Sequence, residues 1–287
     1  MSKIGIIGGS GLYNIKGLEN AEFRNVDTPF GAPSDKYILG SLEGKDVVFL
    51  SRHSQGHKIP PGKINYRANI YGMKKLGVTR IISVSACGSL KEEIAPMHFI
   101  LPDQFVDRTN SERTVTFFDD GIVAHIGFAE PVCPRLADVI YNSGKSLKIT
   151  MHCGGTYLNM EGPAFSTRAE SHLYRSWGMS VIGMTNMPEA KLAREAEICY
   201  TTLAAVTDYD CWHPDHNSVT VEMIISNLMK NVDNARKIIR KAILDIPECP
   251  DCRCRQALRH SIVTRPEAIT PEVKQRLDLI IGKYIEK

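Results

Sequence analysis

The sequence predicts an α/β protein, on three observations. Short apolar, β-branched runs alternate with amphipathic stretches, the pattern of strands interleaved with helices. With 287 residues, 43% apolar and 23% charged, the chain has the length of one large or two small domains and an ordinary globular composition. The apolar run Ile198–Val206 leads straight into Thr207-Asp208-Tyr209-Asp210, so a buried strand is expected to deliver two carboxylates to its end, a frequent address for binding sites in such folds.

Taken in order, Lys3–Gly8 and Asp46–Leu50 read as strands, being short, apolar and β-branched. Tyr66–Leu76 reads as a helix, Arg80–Val84 as a strand, and Cys133–Gly144 and Ser166–Trp177 as helices. Val181–Met184 is the next strand and Pro188–Glu197 the next helix. The longest helix is expected over Thr220–Leu244, where Val221, Ile224, Ile225, Leu228, Val232, Ala235, Ile239, Ala242 and Ile243 recur at steps of three and four. That stripe suits core packing. Pro247 ends the region, and 1–246 is expected to form the main domain. The remainder, 247–287, reads as a Cys/Pro-rich connector and a helical tail over Pro271–Tyr284.

The bulk properties exclude several classes. A net charge of +3 with no run of five basic residues argues against a nucleic-acid partner. No apolar stretch approaches the ~20 residues that span a bilayer, so no membrane partner is expected. The N-terminus enters a strand without a signal-peptide pattern, which predicts a cytoplasmic protein. Of eight cysteines, Cys87, Cys133, Cys153, Cys199 and Cys211 sit singly and read as small core hydrophobes. Cys249, Cys252 and Cys254 form C-x-x-C-x-C, open between a disulfide, a partial metal site and an incidental tail.

Several segments suit ligands. Gly8-Gly9-Ser10-Gly11 lets the backbone approach an anion, although Asn14 breaks the dinucleotide fingerprint and no GK[ST] follows; alone, it is equally a tight turn. Arg52 offers a fork to phosphate oxygens and His53 a further donor. His53 and His57 lack the acidic partner of a zinc helix, and His213-Pro214-Asp215-His216 lacks a second cluster, so no metal site is expected. Ser83–Ser89 reads as a small-residue turn after a strand, suited to an anion, a sugar or a helix cap. Phe165 suits stacking on a flat base, Met184 packing on a ribose and Thr185 donation to phosphate; each alone is more often core or cap. Asp208 and Asp210, two acceptors side by side, suit a ligand edge with two donors.

In order along Lys3–Leu244, the motifs GIIGGSGL, DTPFG-PSD, SRHSQGH-IPP-KINYRAN, SACGSL, DQFVDRT, EGP-FSTRAES, GMTN-PE and TDYDCW resemble the trimeric purine nucleoside phosphorylase family, in its methylthioadenosine-cleaving branch. The resemblance implies a single α/β domain with a mixed, partly barrel-like central sheet flanked by helices. It implies phosphorolysis of 5′-methylthioadenosine to adenine and 5-methylthioribose 1-phosphate, with inorganic phosphate as co-substrate and no cofactor. It places phosphate on Ser10, Arg52, His53, Ser85 and Thr185, and the nucleoside on Ala86, Phe165 and Met184. Asp208 and Asp210 match the pair holding N7 and the 6-amino group, with Asp208 the acid for the leaving base. Val221 and Ile224 match the methylthio pocket, and His125 a residue given to a neighbouring subunit. A homotrimer is implied first and a hexamer second. Some thermophilic relatives bridge cysteines at the positions of Cys133 and Cys199 and carry a tail pair like Cys252 and Cys254.

Three rivals remain distinguishable. A 6-oxopurine or methylthioinosine phosphorylase would carry Asn at Asp208 and Glu at Ser166. A glycosyltransferase using Asp208-Tyr209-Asp210 as a metal motif would need a divalent cation but no phosphate. A nucleotide-binding module would bind without turnover.

Overall fold

The computed structural model describes residues 2–9, 17–110, 113–214, 221–248 and 251–285. Eleven strands are formed among them: β1 Lys3–Gly8, β2 Glu19–Arg24, β3 Tyr37–Leu42, β4 Lys45–Ser51, β5 Val78–Ser89, β6 Phe99–Leu101, β7 Gln104–Arg108, β8 Met151–Cys153, β9 Thr156–Met160, β10 Val181–Gly183 and β11 Cys199–Asp208. The helices are α1 Tyr66–Lys75, α2 Pro134–Ser146, α3 Arg168–Ser176, α4 Asn186–Glu195, α5 Val221–Asp245 and α6 Pro271–Ile281.

The strands make one mixed sheet that forks at β5. One path runs β2-β3-β4-β1-β5-β10-β9-β7; the other leaves β5 through β11 to β6 and β8. β1, β4, β5 and β11 are mutually parallel, whereas β10 meets the end of β5 antiparallel. All ten residues of β11 are buried, as expected of a strand covered on both faces. At the outer edge, β2 (ENAEFR) is exposed throughout, and its charges discourage further pairing.

Local chemistry sets the helix starts. The Asn65 side chain accepts from the Ala68 N–H ahead of α1. Thr167 and Glu170 form a reciprocal capping box at α3. Pro134 and Pro271 open α2 and α6, where a missing N–H costs nothing. The apolar stripe of α5 packs on β11 and α2. Residues beyond Pro247 share these cores: Val273, Leu277 and Ile281 of α6 pack with Ile70, Met73 and Ala193, and Cys252 and Cys254 lie with Leu136 and Ile239. The described residues form a single α/β domain around one mixed sheet.

Two expectations are corrected. Ser83–Ser89 is no turn but the second half of the 12-residue β5, held by β11 on one side and β10 at its end. Cys153 is exposed, not a core hydrophobe, because it ends an edge strand. In addition, β2, β3 and β6 to β9 carry no strand signal: they are three to six residues long and several are polar. Among the described residues, no helix is long and apolar enough to cross a membrane.

Candidate active site

The parallel strands converge at their C-terminal ends on a cavity of 320 Å³, the usual position of ligand sites in such sheets. The loop after β1 brings Gly9, the end of β4 brings Arg52 and His53, β5 brings Ser85, Ala86 and Gly88, and β11 brings Asp208. Met184 and Thr185 follow β10, and Phe165, half-exposed, stands at the wall before α3. One face of α5, with Leu228, Asn231, Val232 and Ala235, closes the opposite side.

At one end the lining is rich in hydroxyl and N–H groups. Ser85 Oγ lies 3.1 Å from the Tyr157 hydroxyl and 3.3 Å from Thr185 Oγ1. Thr185 sits at the N-cap of α4 without capping it, which leaves its hydroxyl for the cavity.

Arg52 is 1% exposed. Its Nε and Nη2 donate to the two carboxylate oxygens of Glu189 at 2.8 and 3.0 Å, Nη2 also to Ser83 Oγ at 2.8 Å, and Nη1 to Val84 O at 3.1 Å. Glu189 is itself fully buried and also accepts from Ser83 Oγ at 2.7 Å and Tyr200 Oη at 3.0 Å. Burial alone would depress Arg52, but the charge and hydrogen bonds of Glu189 outweigh it and hold the guanidinium above its ordinary range. Arg52 is therefore a neutralised fork with one Nη1 proton uncommitted among the described residues, not a bare cation.

His53 Nδ1 lies 2.8 Å from Ile59 O. A carbonyl only accepts, so Nδ1 carries the proton. Burial, then the charge of Arg52, lowers the ring to about 4. At neutral pH it is uncharged with Nε2 an acceptor, which corrects its expected role as a donor.

At the other end sit the two carboxylates. Between Val206 and Asp208 the β5–β11 register shifts, a bulge that re-aims the strand end. Asp208 Oδ1 accepts the Asp210 N–H at 2.8 Å, and Oδ2 lies 2.6 Å from the Thr207 hydroxyl. Burial raises Asp208 to about 6, against those hydrogen bonds and with help from Asp210. Asp210 is also raised, chiefly by burial. Its Oδ2 is buried with no hydrogen-bond partner among the described residues. Gly88 is required here: a Cβ would stand 2.8 Å from Asp208 Oδ1.

The cavity thus gathers Arg52, His53, Ser85, Ala86, Phe165, Met184, Thr185, Asp208 and Asp210. Ser10 lies outside the described residues. Val221 and Ile224 fall in the first turn of α5, with side chains outside the described ones. His125 is not at this cavity; it is exposed, and its N–H donates to Ser261 O at 2.8 Å. Among the described residues no His, Cys or third carboxylate joins Asp208 and Asp210 in a cation-sized cluster. His213 instead faces Glu92, with Nε2 3.0 Å from Oε1; Asp215 and His216 lie outside the described residues.

Sequence reasoning assigned nothing to three supporting residues. Glu189 holds Arg52. Asn231 donates to Val206 O at 2.8 Å and so ties α5 to the end of β11. Arg113 bonds Glu161 and donates to Met184 O (2.7 Å) and Met187 O (2.8 Å), which joins two cavity walls. A buried charge in a polar segment is visible only once packing is known.

The model of the phosphorylase superfamily matches residues 3–244. The chain is 59% identical to S-methyl-5′-thioadenosine phosphorylase of Geobacter sulfurreducens over 98% of this chain and 99% of that protein. It is similar to the crystal structure of a methylthioadenosine phosphorylase from an antarctic soil metagenomic library, at a TM-score of 0.92 and 49% identity over 97% of this chain and 98% of that one. It is also similar to methylthioadenosine phosphorylase of Schistosoma mansoni in complex with adenine, at 0.85 and 35% over 90% and 97%.

Proposed function

The chain belongs to the phosphorylase superfamily, and from that premise we propose how its cavity carries out the phosphorolysis of S-methyl-5′-thioadenosine to adenine and 5-methylthioribose 1-phosphate, a salvage reaction. The enzyme is a pentosyltransferase, with inorganic phosphate as co-substrate.

The observation that carries the assignment of roles is a buried Asp210 Oδ2 with no hydrogen-bond partner among the described residues, beside an Asp208 whose carboxyl is raised to about 6. Asp208 holds a proton for N7, and Asp210 accepts from the 6-amino group. As C1′–N9 breaks, its electron pair passes to the base, which takes the Asp208 proton. A phosphate oxygen forms the new bond to C1′, where positive charge develops.

Phosphate binds at the hydroxyl-rich end. Ser85 and Thr185 donate to it, Arg52 offers its remaining Nη1 proton, and His53 Nε2 accepts from the hydroxyl of the hydrogen phosphate. Fixing the nucleophile there supplies orientation and charge stabilisation. Gly9 and Ala86 border the same end, and Phe165 and Met184 pack on the base and ribose; Ser10, outside the described residues, is assigned to phosphate on the family resemblance alone. Leu228, Val232 and Ala235 of α5 form an apolar wall, and Val221 and Ile224, at the start of the same helix, are assigned to the methylthio group on the family resemblance alone. We assign a homotrimer, then a hexamer, as the assembly, with exposed His125 presented to a neighbour's 5′ pocket, and a cytoplasmic location with no further cofactor.

The test of this reading is a substrate panel at saturating phosphate. Methylthioadenosine is expected to lead. Adenosine should be weaker by about 10²-fold or less, since an apolar wall rejects a hydroxyl only modestly. Inosine and methylthioinosine should fall by about 10³-fold or more, because an acceptor at position 6 would face Asp210. Equal turnover of the 6-oxo substrates would remove the two carboxylates from base selection.

A further inference from the structure

We propose that Cys133, Cys199, Cys252 and Cys254 form a structural zinc site remote from the catalytic cavity. The four cysteines come from three parts of the chain. Cys133 is the N-cap of α2, Cys199 is the first residue of β11, and Cys252 and Cys254 flank Arg253 after α5. All four are at most 5% exposed.

Their Sγ atoms all lie within 4.8 Å of one another. Cys199 and Cys252 are 3.4 Å apart, and Cys133 and Cys252 3.8 Å. A tetrahedral zinc with Zn–S bonds of about 2.3 Å requires sulfur–sulfur edges of about 3.8 Å. The cluster therefore has the size and the ligand count of a closed Cys₄ centre. Disulfides would instead draw the sulfurs together two by two at about 2.05 Å. All seven described cysteines are free thiols, so the bridges implied by the family resemblance are not formed.

The backbone fixes the ligands independently of the sulfurs. The Cys133 N–H donates to Tyr200 O at 2.8 Å, which holds Cys133 beside Cys199. The Arg255 N–H donates to Cys252 O at 2.9 Å and curls the C-x-C segment. Four thiolates around one dication carry two net negative charges. Arg80 lines a small cavity shared with Cys133, Cys199 and Cys252, and Arg194 lies within electrostatic reach of Cys254. That cavity is also the approach by which an ion would enter. With four protein ligands the centre leaves no open position and serves structure, not chemistry. It pins the segment after α5 to the start of β11, the strand that ends at Asp208.

The test is metal analysis of the full-length protein purified from zinc-supplemented medium without chelator, beside thiol titration of the denatured, metal-stripped chain. About one zinc per chain is expected, released by a mercurial thiol reagent and followed with a colorimetric chelator, together with all eight cysteines titrating as thiols. Cys252→Ser with Cys254→Ser should lose the zinc and lower Tm, whereas Cys153→Ser, at an exposed cysteine outside the cluster, should change neither. Fewer than eight thiols would overturn the proposal in favour of disulfides. Eight thiols with negligible zinc, even after incubation with zinc salt, would overturn it in favour of plain core packing. The wild-type release assay decides the matter even if the double variant fails to fold.

Discussion

Asp208→Asn is expected to lower kcat/KM for methylthioadenosine by about 10²–10⁴-fold, the range assigned to general acid catalysis. Asn keeps a donor for N7 but transfers no proton, so the leaving base departs as an anion. Asp210, the acceptor that faces position 6, is untouched, so the preference for 6-amino over 6-oxo nucleosides should persist in the variant. The pH dependence gives an independent sign. Asp208 titrates at about 6. The acid form is required, so wild-type kcat/KM should fall as pH rises through that value, and Asp208→Asn should lose that limb. For stability, a native value raised above the unfolded ~3.9 favours the folded state below ~3.9, and the contribution is lost as pH rises through about 6. Asp208→Asn removes the buried charge and is expected to unfold no more readily than wild type at pH 8. Wild-type kinetics in this variant would refute the role of Asp208.

Arg52→Ala is expected to destabilise the fold by about 3–5 kcal/mol, the cost of stranding one partner of a buried ion pair. Glu189 is fully buried and would lose two of its four hydrogen bonds along with its counter-charge. A Tm drop on the order of 10 °C should accompany the loss. Arg52→Lys separates stability from ligand binding. It keeps the charge but not the planar fork, so the protein should stay folded while the phosphate KM rises by about tenfold or more. Thermal unfolding and phosphate titration check the two arms. An Arg52→Ala protein as stable as wild type would contradict the coupling to Glu189.

The site was legible where chemistry follows a strong strand. Asp208 ends a run of buried residues, and Arg52 and His53 follow another, so their convergence on one cavity needed only parallel pairing of β1, β4, β5 and β11. The long α5 was legible from its apolar stripe. What the sequence hides is tertiary. Glu189 reads as an ordinary residue of a helix, yet it neutralises Arg52 and changes what that side chain offers to phosphate. His53 reads as a donor until Ile59 O fixes its Nδ1 proton. Ser83–Ser89 reads as a turn because small residues suit turns, but two partners hold it as strand. The cysteine cluster joins residues 119 and 53 positions apart, a separation no local spacing rule reaches.

The most direct measurement identifies the sugar released from methylthioadenosine with and without phosphate. Phosphate-dependent release of adenine together with 5-methylthioribose 1-phosphate is the expected result. Adenine release at the same rate without phosphate, with free methylthioribose as the product, would make the enzyme a hydrolase and contradict the assignment of the Ser85–Thr185 end of the cavity to phosphate.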